Sequence, residues 1–268
     1  MKKILFLLLL ISLAYTSDAQ RGEIGVFSGI SLYQGDLTRG LGLQEPHFSY
    51  GFFAGYAPFD HLTIKGSFYR GQISGNDKYQ KNRLLRERNL SFKSTLSELG
   101  IRLEYNILGF RPANMYTRFS PYVFVGMAAT HHNPKAEYLG IWHELQPLGT
   151  EGQGIRGYEQ RYNRVIFALP FGAGVKYALN ENLSVGFEGG IRMTFTDYLD
   201  DVSTNYVDEE VLRAATSRGD LAVALANRTS EYLEEPFTFE GGAQRGGADV
   251  NDYYFMGGVT LFFTINGY

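Results

Sequence analysis

Leu183-Ser184-Val185-Gly186-Phe187-Glu188-Gly189-Gly190-Ile191-Arg192-Met193-Thr194-Phe195-Thr196-Asp197-Tyr198 is the stretch that decides the fold. Its odd positions are Leu, Val, Phe, Gly, Ile, Met and Phe, and its even positions from Ser184 to Thr196 are polar or glycine. A period of two puts one set on each face of a β-strand, so one face is apolar and the other polar or small. The same alternation runs through 253–265, 23–33, 62–69 and 98–105, and less cleanly through 48–58, 121–129 and 164–177. These eight segments, of roughly 9–14 residues, have the length a tilted strand needs to cross a bilayer.

The connections alternate in length. Long loops are expected near 34–47 and at 72–88, 131–162 and 199–252, with shorter turns at 58–61, 107–119 and 179–182. Long loops on one rim and short turns on the other is the pattern of an outer-membrane barrel, and an even strand number brings both ends of the barrel to the short-turn rim. The fold class expected is therefore all-β, an eight-stranded antiparallel transmembrane β-barrel, with short helices in the last loop. The polar faces carry Glu23, Glu98, Glu104 and Glu188 against Lys65, Arg102, Lys176 and Arg192. An eight-stranded interior is just wide enough for side chains to fill, so four acids and four bases are expected to pair inside it and plug it.

Composition agrees and removes other classes. The chain has 268 residues, 44% of them hydrophobic, with 19 Tyr, 20 Phe, one Trp and no Cys. Without cysteine there is no disulfide framework, thiolate metal site or Cys nucleophile. The aromatic content is too high for a solvated coil, and a formal charge of −3 gives no basic excess for nucleic acid. Residues 1–19 read as a signal peptide: Lys2 and Lys3, an apolar run over 4–14 too short to span a bilayer, and Ser17-Asp18-Ala19 as the cleavage sequence. Residues 20–268 then form the barrel domain, delivered to the cell outer membrane, with an aromatic last strand closed by Tyr268.

Candidate sites gather at the two rims. The acidic cluster Asp197, Asp200 and Asp201 offers hard oxygen ligands but lacks the ligand set and glycine of a dedicated calcium loop. It is expected to hydrogen-bond loop amides or basic residues, with Arg88 and Lys93 as candidate partners. His131-His132 and Asp200-Asp201 share that rim, but adjacent histidines on one strand end face opposite sides and no serine lies in a nucleophile setting. No enzyme, cofactor or metal is assigned. Lys78, Lys81, Arg83, Arg86, Arg88 and Lys93 make the second long loop basic, suited either to solvent or to lipopolysaccharide phosphates. In the longest loop, 208–215 and 218–227 read as short helices, with Ser217 as an N-cap, folded over the barrel mouth.

Several stretches are more particular than periodicity demands: Tyr33-Gln34-Gly35-Asp36-Leu37, Arg88-Asn89-Leu90-Ser91-Phe92, Asp197-Tyr198-Leu199-Asp200-Asp201-Val202-Ser203-Thr204 and Leu225-Ala226-Asn227-Arg228. Together they resemble a Bacteroidota family of outer-membrane β-barrels that includes PorG of the type IX secretion system. The resemblance covers nearly the whole chain after the signal, and marks Gly35, Asp36, Arg88, Asn89, Ser91, Phe92, Asp197, Tyr198, Asp200 and Asp201 as family motif positions. It implies a barrel that associates with a periplasmic ring made of a lipoprotein and its partner. Contacts with such a ring must come from the short-turn rim, where only 106–120 has enough residues. Phe110, Arg111, Met115 and Tyr116 there are of the types interfaces favour, or of an interfacial aromatic girdle. The alternative is a stand-alone surface barrel that binds lipopolysaccharide or an extracellular partner through its long loops.

Overall fold

The structure is a computed structural model that describes residues 21–38 and 43–266; the expected signal segment and Tyr268 lie outside the described residues. Ten strands form: β1 (Arg21–Gln34), β2 (His47–Phe59), β3 (Leu62–Asn76), β4 (Ser91–Asn106), β5 (Phe119–His131), β6 (Pro134–Tyr138), β7 (Ile141–Glu144), β8 (Val165–Ala178), β9 (Leu183–Thr194) and β10 (Tyr253–Asn266). Eight of them close a barrel in the order β1-β2-β3-β4-β5-β8-β9-β10, with β10 returning to β1 and every pairing antiparallel. Closure pairs both edges of the sheet, as a barrel crossing lipid requires. The first and last strands meet Arg21 against Asn266, at the rim that holds the short turns.

The alternation read from sequence sets the two faces. Outward, every barrel strand shows large apolar side chains to its surroundings: Ile24 and Val26 on β1, Phe52 on β2, Phe68 on β3, Leu99 and Ile101 on β4, Val125 on β5, Phe167 on β8, Phe187 on β9 and Leu261 on β10. Leu99 is 66% exposed and Phe187 62%, values that a water-soluble fold avoids over so wide a continuous belt. Inward, where the barrel narrows, glycine makes room for bulk. Gly172 and Gly190 pair across β8 and β9, and a Cβ on either would run into the Phe124 ring.

On the long-loop side β3 and β4 continue past the barrel, and a hairpin of β6 and β7 adds to the free edge of β4 through Lys93–Lys135 and Ser94–Pro134. This hairpin lies inside 131–162, expected as plain loop; its nine strand residues are too few to carry a periodic signal. Four short helices complete that side: α1 (Arg83–Arg88), α2 (Glu209–Ala215), α3 (Gly219–Ala226) and α4 (Thr229–Leu233). Two of these were expected. Ser217 is not an N-cap, however: Arg218 holds that position without a side-chain cap, and the hydroxyl that accepts its N–H is Thr216 Oγ1 at 3.0 Å.

Candidate functional site

Whether the barrel can pass solutes is decided in its lumen. All eight charged residues of the polar faces point inward and are at most 3% exposed. Lys65 Nζ lies 3.3 Å from Glu23 and 2.9 Å from Glu104, and Lys176 Nζ lies 3.0 Å from the same Glu104 oxygen. Arg102 forks onto Glu188 at 2.8 and 2.7 Å and reaches Glu104 at 2.8 Å, while its guanidinium sits 4.6 Å from the Phe124 ring centre. Tyr122 donates to Glu188 at 2.6 Å. Nearer the long-loop end, Glu98 accepts from Tyr254 at 2.6 Å and lies 3.5 Å from Arg192. A cavity beside Tyr69, Glu98 and Arg192 has about 10 Å³, room for about one water. Buried charges on facing strands thus form one neutral plug that ties the barrel walls together.

Above the plug the long loops fold into a cap with its own core. Tyr33, Leu37, Ile73, Phe92, Leu199, Val202, Leu225 and Tyr254 belong to one buried cluster that runs from lumen to loops. The motif positions build this cap. Gly35 closes a tight turn with Thr38, and a Cβ there would collide with Asp252 and the Tyr33 hydroxyl. Asp36 accepts from the Gly247 amide at 2.7 Å. Arg88 grips Asp77 through two bonds of 2.8 and 2.7 Å and also donates to the Arg245 carbonyl. Asn89 ends α1 in the left-handed region, φ 58°, which asparagine tolerates, and its side chain donates to the Arg228 carbonyl. Ser91 accepts from Arg228, Phe92 packs edge-on to Tyr33 at 4.8 Å, and Tyr198 stacks on Tyr162 at 4.9 Å.

Of the three aspartates expected to form one cluster, Asp200 and Asp201 take separate partners, and neither Arg88 nor Lys93 bonds any of the three. Asp200 accepts from Tyr33 at 2.5 Å and from the Val202 amide. Asp201 accepts from Thr150 at 2.5 Å and Tyr162 at 2.7 Å. Asp197 stays buried, with its Oδ2 unpartnered among the described residues. Arg88 is committed to Asp77, and Lys93 lies over the Trp142 ring. Among the described residues, no group of three or more His, Asp or Glu side chains is placed to hold a metal ion.

Burial raises these carboxyls. It pushes Asp200 well above the usual range, with Asp36 adding, and Asp252 likewise, with Asp200 and Asp197 adding. Asp197 is raised to about 7 and Asp201 to about 6, again chiefly by burial. The Tyr33 hydroxyl contacts both Asp200 and Asp252, the latter at 3.1 Å. A phenol has one proton to give, so the set is complete only when one carboxyl is protonated and donates in return.

Sequence reading missed four members of this cap. Asp77 is the seat of Arg88, and Asp252 accepts from the Leu199 amide at 2.9 Å. Glu151 accepts from the Ser203 and Thr204 amides and from Arg245 at 2.7 Å, and Arg245 reaches the Asp201 and Ala226 carbonyls as well. Their partners lie up to 219 residues away in the chain, and loops carry no period that would single them out. His132 is fully buried and His131 exposed, so the adjacent pair does split between faces.

At the opposite rim the turn after β4 folds under the barrel. Its Phe110 amide donates to the Asp60 carbonyl at 2.8 Å, and the ring turns into the lumen against Phe262 at 6.0 Å and below Lys176 at 5.2 Å. Phe110 is 2% exposed, so it corks the barrel and offers nothing to a partner, contrary to the expectation from sequence. Met115 and Tyr116 lie on a short 3₁₀ turn (Met115–Thr117) and are 78% and 97% exposed. Arg111 is half-exposed beside Asp60 at 3.4 Å.

An antiparallel eight-stranded barrel with an apolar belt, a neutral plug and loops on one rim defines the class: this is the fold of bacterial outer-membrane barrels. Residues 2–216 match the model of a family described as a domain of unknown function (DUF6089), and the chain belongs to that family. No curated protein matches the sequence. Among solved structures the chain is similar to Ail, the attachment invasion locus protein of Yersinia pestis. That match has 9% identity and TM-score 0.43, covering 92% of this chain and 99% of that one. It is also similar to Neisserial surface protein A (10%, TM-score 0.41, covering 92% and 97%) and to OprG of Pseudomonas aeruginosa (12%, TM-score 0.38, covering 93% and 97%). Likenesses at these levels carry nothing about function.

Proposed function

We propose that this barrel is a non-enzymatic outer-membrane protein that acts by contact, and that it serves type IX protein secretion as a PorG-like component bound to the periplasmic ring lipoprotein and its partner. The observation that carries a contact role is the sealed lumen: a barrel filled by paired charges and corked by Phe110 has only its rims to offer. The resemblance of the cap-building stretches supports the secretion role. Met115 and Tyr116, exposed at the rim that also holds the barrel ends, supply a surface where a periplasmic partner would dock, with Arg111 beside them.

The test is to cross-link intact cells, extract in mild detergent and purify the barrel by a tag at the Leu139-Gly140 hairpin tip. The ring lipoprotein and its partner are expected with it, and the pair Met115→Ser and Tyr116→Ser should lower their recovery about tenfold while the barrel keeps its heat-modifiable gel migration. Recovery of the barrel alone, or unchanged recovery in the double variant, counts against this reading.

The alternative is a stand-alone barrel that binds lipopolysaccharide through the basic second loop, to which the rim adds Arg70. Of the basic loop, Arg88 is committed to buried Asp77, whereas Arg83 stays exposed in a surface pair with Glu87. Arg70, exposed on the outward face of β3 and paired in register with Tyr50 and Ser97, is a further guanidinium that would suit a lipid phosphate in this reading. Recovery with lipopolysaccharide only, abolished by Arg70→Ala, is the outcome that would favour it.

A further inference from the structure

The turn between β4 and β5 holds two arginines and no acid over 107–118, and its own hydrogen bonds bring the two together. The Arg111 amide donates to the Thr117 carbonyl at 3.1 Å, and Thr117 Oγ1 donates to the Arg111 carbonyl at 3.3 Å. Arg118 follows Thr117, so both arginines stand at the base of a closed loop whose tip is Met115 and Tyr116. Pro112 and the Asn114 side chain, which accepts from the Tyr116 amide at 2.9 Å, stiffen that loop. Its shape is set before anything binds to it.

Neither guanidinium is matched by an acid of its own among the described residues. Asp60 Oδ1 lies 3.4 Å from Arg111 but already accepts from Arg21 at 2.8 Å, and the Arg111 side chain donates no hydrogen bond there. Arg118 has no ion-pair partner among the described residues, and its Nε is buried without a hydrogen-bond partner. Glu181, on the neighbouring β8–β9 turn, is exposed and bonds neither arginine. Two like charges rooted this close repel, and an incoming carboxylate, which guanidinium forks match, would relieve that repulsion and satisfy the Nε.

Position decides what brings the carboxylate. Phe110, next to Arg111, turns into the lumen, so the loop hangs beneath the barrel mouth and not beside the lipid-facing belt. Its tip is apolar and stands free, Met115 at 78% exposure and Tyr116 at 97%. An acid flanked by apolar side chains answers both features, and a protein surface supplies that combination. We propose that the loop base binds an Asp or Glu side chain of the periplasmic partner, whose neighbouring apolar side chains cover Met115 and Tyr116. The proposal rests on the ring-contact reading above and adds the chemistry of the partner's surface.

Three whole barrels test it in intact cells: wild type, Arg111→Lys with Arg118→Lys, and Arg111→Glu with Arg118→Glu. A carbodiimide joins an amine directly to a carboxylate as an amide and leaves as its urea, so the introduced lysines should link to Asp or Glu residues of the ring lipoprotein or its partner. Recovery of the ring proteins should fall at least about tenfold in the glutamate variant and no more than about threefold in the lysine variant, with gel migration unchanged in both. Links confined to the barrel's own carboxylates, or recovery indifferent to the glutamates, would overturn the proposal and leave ring contact standing. Absence of the ring proteins from the wild type would overturn both. A lipid phosphate is the competing anion. With Tyr116→Trp in a Trp142→Phe background, the indole should stay open to acrylamide quenching in vesicles of phosphatidylethanolamine and phosphatidylglycerol, and protection there would overturn the proposal.

Discussion

Glu104 shows how the barrel is held at the scale of one side chain. It is fully buried, with Lys65, Lys176 and Arg102 all within 3.0 Å of its carboxylate. Removing one partner from a buried ionic set leaves uncompensated charge, at a cost of ~3–5 kcal/mol. Glu104→Gln should therefore lower the temperature at which the gel-shifted barrel unfolds, and adding Lys176→Met should restore much of the loss. An unchanged transition in the single variant would mean that the plug is not a structural tie. Sequence made this set legible, because strand alternation alone assigns Glu23, Lys65, Glu98, Arg102, Glu104, Lys176, Glu188 and Arg192 to one face. It could not show that Phe110 turns inward. That residue sits in a turn without a period, where an aromatic beside an arginine reads equally well as an interface anchor.

Among the elements, the cap differs most from what a loop suggests. Its carboxyls Asp197, Asp200, Asp201 and Asp252 are raised in the folded state, mainly by burial, so the folded cap holds more protons than the unfolded chain. Their contribution is therefore most favourable at low pH and falls as pH rises through the folded values. Buried His132 acts in the opposite sense: its value is lowered to about 4 by burial, so folding there is penalised as pH drops below about 6.5. Between about pH 8 and about pH 6.5 only the carboxyls count. Amides of 197–206 should exchange more slowly at about pH 6.5 than at about pH 8, after correction for intrinsic exchange rates, and Asp197→Asn should reduce the difference. No difference, or faster corrected exchange at the lower pH, would contradict the burial of these groups. The motif residues were visible in the sequence as unusual strings, but their work was not. Arg88 finds Asp77, Arg245 finds Glu151 and Tyr33 finds Asp252 only after distant loops have met, and no local spacing encodes those meetings.

Across the whole molecule, the number of barrel strands, the alternating connections and the inward charges follow from periodicity, because lipid outside and a narrow lumen inside impose opposite demands on successive residues. The β6–β7 hairpin does not, since it depends on how loops pack above the membrane. The lumen of this barrel is sealed, by paired charges along its length and by Phe110 at the short-turn end. Single-channel recording of the purified barrel in a planar bilayer, with insertion verified by heat-modifiable migration, tests it most directly. Inserted protein should give no stable conductance steps at either polarity, whereas reproducible ohmic steps from the same preparation would show an open lumen and contradict the account.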